Sequence, residues 1–160
     1  MIPKRIRNAM FFMMLLAVLL SCGCRVGVKI TSYGNVNFVG TGNCDRMFID
    51  GTASNIELTL LDGRKIPMAS ISREHVSELF GDPVLEGKIE LGATEYEEFG
   101  TDNCTFVFKN GDFASVEVSE GVKVANQSNG RSLTLPAKEA DVRAVFGEPT
   151  SVTYVKSQQP

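Results

Sequence analysis

The chain opens on a contrast between polar and apolar positions. Lys4, Arg5 and Arg7 precede an unbroken apolar run over residues 9–20, and the pattern then breaks at Ser21-Cys22-Gly23-Cys24. A basic flank, a short apolar core and a small residue follow one another in the order a secretory leader requires. The run is too short to span a bilayer, whose hydrocarbon core needs about 20 apolar residues in a helix. No basic flank follows to stop transfer, so residues 1–21 are expected to be a leader removed by cleavage.

Beyond the leader the pattern switches to the strand period. Segments 105–108 and 113–118 carry β-branched and aromatic residues, with the hairpin signal Asn110-Gly111 between them. Asp50-Gly51 predicts the same turn earlier in the chain, residues 56–61 supply the strand after it, and Asp62-Gly63 turns the chain again. Ile71, Val76, Leu79 and Phe80 fall within reach of one helical face, with Ser70 or Ser72 able to cap the helix. Gly81 and Pro83 stop that helix. A second helix stops at Gly147 and Pro149, has Pro136 in its first turn, and leaves residues 150–155 as a closing strand.

Comparison of the chain with itself organises these elements. Gly40-Thr41-Gly42-Asn43-Cys44 recurs as Gly100-Thr101-Asp102-Asn103-Cys104, and the match continues through Phe48/Phe108 and Gly51/Gly111. It resumes, after an insertion in the second copy, at Asp62-Gly63-Arg64 and Asn129-Gly130-Arg131, then at Val76/Val142, Phe80/Phe146, Gly81/Gly147 and Pro83/Pro149. The expectation is a leader over 1–21, a lipidated tether over 22–25, one repeat unit over 26–83 and a second over 84–160 that includes the closing strand. Helices of about ten residues are unstable alone and must pack on a sheet. The expected fold class is therefore α+β: two tandem repeats, each of antiparallel strands with one short helix packed on the sheet.

Leu19-Leu20-Ser21-Cys22 resembles the lipobox of bacterial lipoproteins. The resemblance implies a diacylglyceryl thioether on Cys22, cleavage before it, and acylation of the new amino group by a fatty acid such as palmitate. Two or three acyl chains hold a protein stably where one does so only marginally, at ~0.8 kcal/mol per buried methylene. Gly23, rather than Asp, follows the cysteine, which implies the outer membrane facing the periplasm if the source has two membranes. The segment over residues 71–83, followed by residues 106–113, resembles the small lipoproteins of the BamE (SmpA/OmlA) family. There too a short helix ends in Gly-x-Pro and an aromatic strand and hairpin follow. The tandem layout also resembles the β-lactamase inhibitory protein. These resemblances imply an envelope location and a role in outer-membrane assembly or, alternatively, in blocking an enzyme.

Charge narrows the partners. Without residues 1–21 the chain keeps 13 Lys and Arg against 19 Asp and Glu, a formal charge of −6. Its basic residues are scattered singly, whereas affinity for a phosphate backbone comes from clusters, so no nucleic acid is expected. His75 is the only histidine, which excludes two-histidine metal sites. Its counterpart in the second copy is Asp141, so a partly exposed helix residue is favoured over a base acting with Glu74 or Glu78. Glu95, Glu97 and Glu98 could pair as carboxylates, but a solvated strand face is the preferred reading. Cys44 and Cys104 occupy matching positions in a protein expected in an oxidising compartment. A disulfide between them is preferred over two separately buried thiols, and a metal site is disfavoured because two cysteines do not complete a tetrahedral shell. Cys24 is the odd cysteine.

The positions shared by both copies are core and turn residues, so the sequence predicts no enzyme, no catalytic residue, no metal and no cofactor. The expectation is an envelope lipoprotein, held on a membrane by its lipid, that binds another envelope protein. The alternative is an inhibitor-like module with an Asp or Tyr on a hairpin tip. Tyr33, Phe38, Tyr96 and Phe113, with exposed strand edges, are the candidate contact surfaces.

Overall fold

A computed structural model describes residues 27–80, 85–101 and 103–155; for residue 80 and residues 85–91 it describes the backbone. Cys22, Cys24, Gly81 and Pro83 lie outside the described residues, as does the junction assigned between the two expected units.

The first three strands, β1 (Val28–Tyr33), β2 (Val36–Gly40) and β3 (Arg46–Asp50), form an antiparallel meander. The chain then leaves that sheet for a hairpin of β4 (Ile56–Thr59) and β5 (Lys65–Pro67), a 3₁₀ turn over Met68–Ser70, and helix α1 (Arg73–Phe80). β6 (Leu85–Leu91), β7 (Thr94–Thr101), β8 (Cys104–Lys109) and β9 (Asp112–Val118) return to the first sheet. A second excursion follows, with β10 (Lys123–Asn126), β11 (Arg131–Thr134) and α2 (Glu139–Phe146), before β12 (Ser151–Val155) closes against β1. The result is an eight-stranded antiparallel sheet in the order β12-β1-β2-β3-β9-β8-β7-β6 and a four-stranded sheet in the order β11-β10-β4-β5.

This corrects the expected α+β architecture. The protein is mostly antiparallel β, with two sheets enclosing a core in the manner of a sandwich and two short α-helices that add apolar side chains to that core. The physical reason is one of size. An eight-residue helix is about 12 Å long, whereas eight strands at about 4.8 Å spacing span roughly 33 Å, so one helix per half cannot cover the sheet. A second sheet does so instead. Neither sheet belongs to one half of the chain, because β3 pairs with β9, β4 with β10 and β12 with β1.

Alternation along the strands fills the core. Phe38, Met47, Ile49, Phe106, Val116 and Val118 point from the large sheet onto Ile56, Leu58, Ile66, Val124 and Leu133 of the small one, and all are buried. Val76 of α1 and Val142 and Val145 of α2 seal the sides. Asn110-Gly111 makes the expected β8–β9 hairpin, both residues having positive φ (50° and 85°), as a type I′ turn requires. Asp50-Gly51 does not make its counterpart: it starts the crossing from the large sheet to the small one. Ser72 caps α1 by accepting the His75 N–H at 3.3 Å. The second helix starts later than expected, with Lys138 as its N-cap, so Pro136 precedes it; Gly147 ends it at φ 82°.

Candidate interaction surface

The large sheet has a second face. Successive strand residues point to opposite sides, and Val28, Ile30, Val39, Phe48 and Val107 point away from the small sheet. All five are buried, yet none belongs to the core between the sheets. Ile30 lies directly opposite Val39, and Phe48 opposite Asn37 and Glu117. From β1 through β2, β3 and β9 to β8 these side chains cross the sheet diagonally, a distance of about 19 Å at ~4.8 Å per strand. Within the strip Arg46 Nη1 donates to Glu117 Oε1 at 2.9 Å. Burial pushes the Glu117 carboxyl above the ordinary carboxylate range, with the Arg46 charge and hydrogen bond pulling against it. Arg46 keeps 38% of its side chain exposed and Glu117 19%, while the apolar residues beside them are already covered, so this strip is packed rather than a free surface.

The sequence-predicted aromatic surfaces divide between the two faces. Phe38 is core, and Tyr33 packs on it with ring centroids 5.6 Å apart and on Phe146 at 6.0 Å. The Tyr33 hydroxyl is buried with no hydrogen-bond partner among the described residues, and burial raises its pKa. Phe113 packs on Phe108 at 5.7 Å and on Phe106 at 6.3 Å. Tyr96, opposite Lys109, points to the outer face with the strip.

The acidic ribbon separates in the same way. Glu97 faces the core side, where Arg73 Nη2 meets its Oε2 at 2.7 Å, while Glu98 points outward, opposite Val107. Glu97 and Glu98 are therefore not paired. His75 is exposed on α1, and its Nδ1 lies 2.9 Å from Ser72 Oγ, a contact made by the cap of its own helix. Glu74 and Glu78 are exposed on the same helix.

Cys44 and Cys104 are both free thiols, so the expected disulfide is not formed in this structure. Cys44 sits just ahead of β3 and is bridged to Ala137, with N–H···O distances of 2.8 and 3.0 Å in the two directions. Cys104 begins β8, and β9 lies between β8 and β3. Two strand spacings are about 9–10 Å, beyond the roughly 7 Å between Cα atoms that a disulfide permits. Burial pushes the Cys44 thiol up to about 11 and the Cys104 thiol up to about 12. Neither is a reactive nucleophile at neutral pH, because the thiolate is the reacting form. Among the described residues, no group of three or more His, Cys, Asp or Glu is placed to hold a metal ion. An open hollow of about 580 Å³ between β11 and α2 contains Lys138 and Asp141 but no cluster of chemically active groups.

Two features were not read from the sequence. Helix α1 is tied to the large sheet by Arg73–Glu97 and α2 by Lys29–Glu139, both at 2.7 Å. On β12, Val152 and Tyr154 are 42% and 69% exposed. Only the alternation in residues 151–155 could have signalled the latter.

No family model, no curated protein and no solved structure matches the chain.

Proposed function

We propose that the protein is a cell-envelope lipoprotein, cut before Cys22 and anchored by lipid on that residue, that works by binding another envelope protein. The observation that carries the binding role is Leu61, an apolar side chain 67% exposed on the turn between β4 and β5. Anchoring rests on the leader pattern and on Leu19-Leu20-Ser21-Cys22. A place in outer-membrane assembly rests on the BamE-like segment, and the reaction-free reading on the core and turn residues that the chain repeats.

Two measurements test this. Metabolic labelling with a palmitate analogue is expected to mark the wild-type protein and to be lost in Cys22→Ala; label that persists in the variant overturns the anchor. A photo-crosslinking residue at Lys65, exposed in the same hairpin as Leu61, is expected to capture one defined envelope protein in intact cells. Leu61→Asp is expected to abolish that capture while the protein still accumulates. Equal capture from the wild type and from Leu61→Asp rejects this side chain as the contact.

A second reading is favoured by one observation. Asp112 is exposed at the tip of the β8–β9 hairpin, where an inhibitor-like module would present a carboxylate to an enzyme's active site. In that case Asp112→Ala, rather than Leu61→Asp, removes binding.

A further inference from the structure

The two sheets end in four edge strands among the described residues: β12 and β6 in the large one, β11 and β5 in the small one. Natural proteins protect such edges with charge or proline, because the unpaired N–H and C=O groups of an edge are a template for another strand. Three of the four carry that protection in their sequences. β6 contains Glu86, Lys88 and Glu90, β5 contains Lys65 and Pro67, and β11 contains Arg131. β12 reads Ser-Val-Thr-Tyr-Val and carries neither a charge nor a proline. Its residues 151–154 are exposed, including the apolar side chains of Val152 and Tyr154 on one face.

We propose that β12 pairs antiparallel with β12 of a second copy of this chain, joining two eight-stranded sheets across a twofold axis at Thr153. The strand is complementary to itself in that register. Thr153 lies opposite Thr153 of the second copy, Val152 opposite Tyr154, and Ser151 opposite Val155. Threonine pairs and aromatic–β-branched pairs are the favourable cross-strand combinations, and no like charges meet. A symmetric dimer with a self-complementary interface is the commonest form of protein oligomer. The pairing uses the β12 edge, not Leu61, and does not depend on the lipid anchor.

The test uses residues 25–160, which retain every described strand and helix and omit Cys22 and Cys24. Sedimentation of this chain is expected to show a monomer–dimer equilibrium. Thr153→Asp and Thr153→Lys each place two like charges face to face and are expected to raise the dissociation constant at least tenfold, with melting temperatures of the monomers unchanged. An equimolar mixture of the two variants is expected to dimerise again. Thr153→Cys is expected to form an interchain disulfide on oxidation, which keeps the test decisive if the charged variants fail to fold. A chain that stays monomeric at millimolar concentration overturns the proposal. So does a dimer that Thr153→Asp leaves intact, or a mixture that does not recover; a dimer of those kinds uses another surface, or the edge serves a different protein's strand.

Discussion

Gly51 and Gly111 follow an acidic or amide residue in what looks like the same turn, yet the structure needs each for a different reason. Gly111 adopts φ 85°, a conformation that a Cβ strains. Gly51 has no such angle; a Cβ there would lie 2.8 Å from the carbonyl oxygen of Phe113, because the chain hugs β9 as its N–H donates to Ala114 at 2.8 Å. Gly111→Ala is expected to lose about 1–2 kcal/mol through the left-handed backbone. Gly51→Ala is expected to lose about 1–3 kcal/mol through overpacking against backbone that cannot rotate away. Urea denaturation separates them further when aspartate replaces each glycine in turn, since a larger side chain worsens the crowding at position 51 and leaves the backbone strain at position 111 nearly unchanged. Equal losses across both pairs would contradict this division.

The helices show how a short element is held. Each buries few apolar side chains, Val142 and Val145 in α2, and each is pinned at its first residue by an ion pair to a strand of the large sheet. The pairs have opposite polarity. Glu139 at the start of α2 suits the positive helix terminus, whereas Arg73 at the start of α1 opposes it and is compensated by Glu97 and by the Phe99 ring 5.7 Å away. Exchanging Arg73→Glu together with Glu97→Arg is therefore expected to recover most of the roughly 1 kcal/mol that either change alone removes. The analogous exchange of Lys29 and Glu139 is expected to recover less, because a lysine at position 139 faces Arg143, which now pairs with Glu139 at 3.1 Å. Denaturant midpoints of the singles and doubles check this; equal recovery in the two pairs counts against the role assigned to the helix termini. The sequence showed where the helices end, through Gly147 and the Ser72 cap, because those signals are local. The pairs that fix the helices join residues as far apart as 29 and 139 and left no trace in it.

At the scale of the molecule, both sheets are palindromic in their order. Outward from the β3–β9 junction, β2 matches β8, β1 matches β7 and β12 matches β6; in the small sheet β4 matches β10 and β5 matches β11. The Asp62-Gly63 and Asn129-Gly130 turns and the two helices occupy matching places. The Gly40 to Cys44 and Gly100 to Cys104 segments do not, since one joins β2 to β3 and the other β7 to β8. That stretch of the self-comparison runs one strand out of step, which is why its cysteines fail to meet. Because each half supplies strands to both sheets, fragments 25–83 and 84–160 are expected to be unfolded separately, while 25–160 melts in one cooperative transition. Circular dichroism of the fragments tests this, and a folded 84–160 alone would restore independent units.

The sequence by itself determined the leader pattern, the turns at Asn110-Gly111 and Asp62-Gly63, the closing strand and part of the core, because turn chemistry and strand alternation act over a few residues. It could not determine which sheet a strand joins. Ile56 and Leu58 require a buried face, and the same alternation suits either sheet. The tertiary structure decided that β4 crosses over, that a second sheet rather than helices packs on the first, that apolar side chains are buried on the far face as well, and that β12 is an edge of the large sheet among the described residues. Strand pairing is settled by side chains distant in sequence competing for the same buried area, and no local pattern records the outcome of that competition.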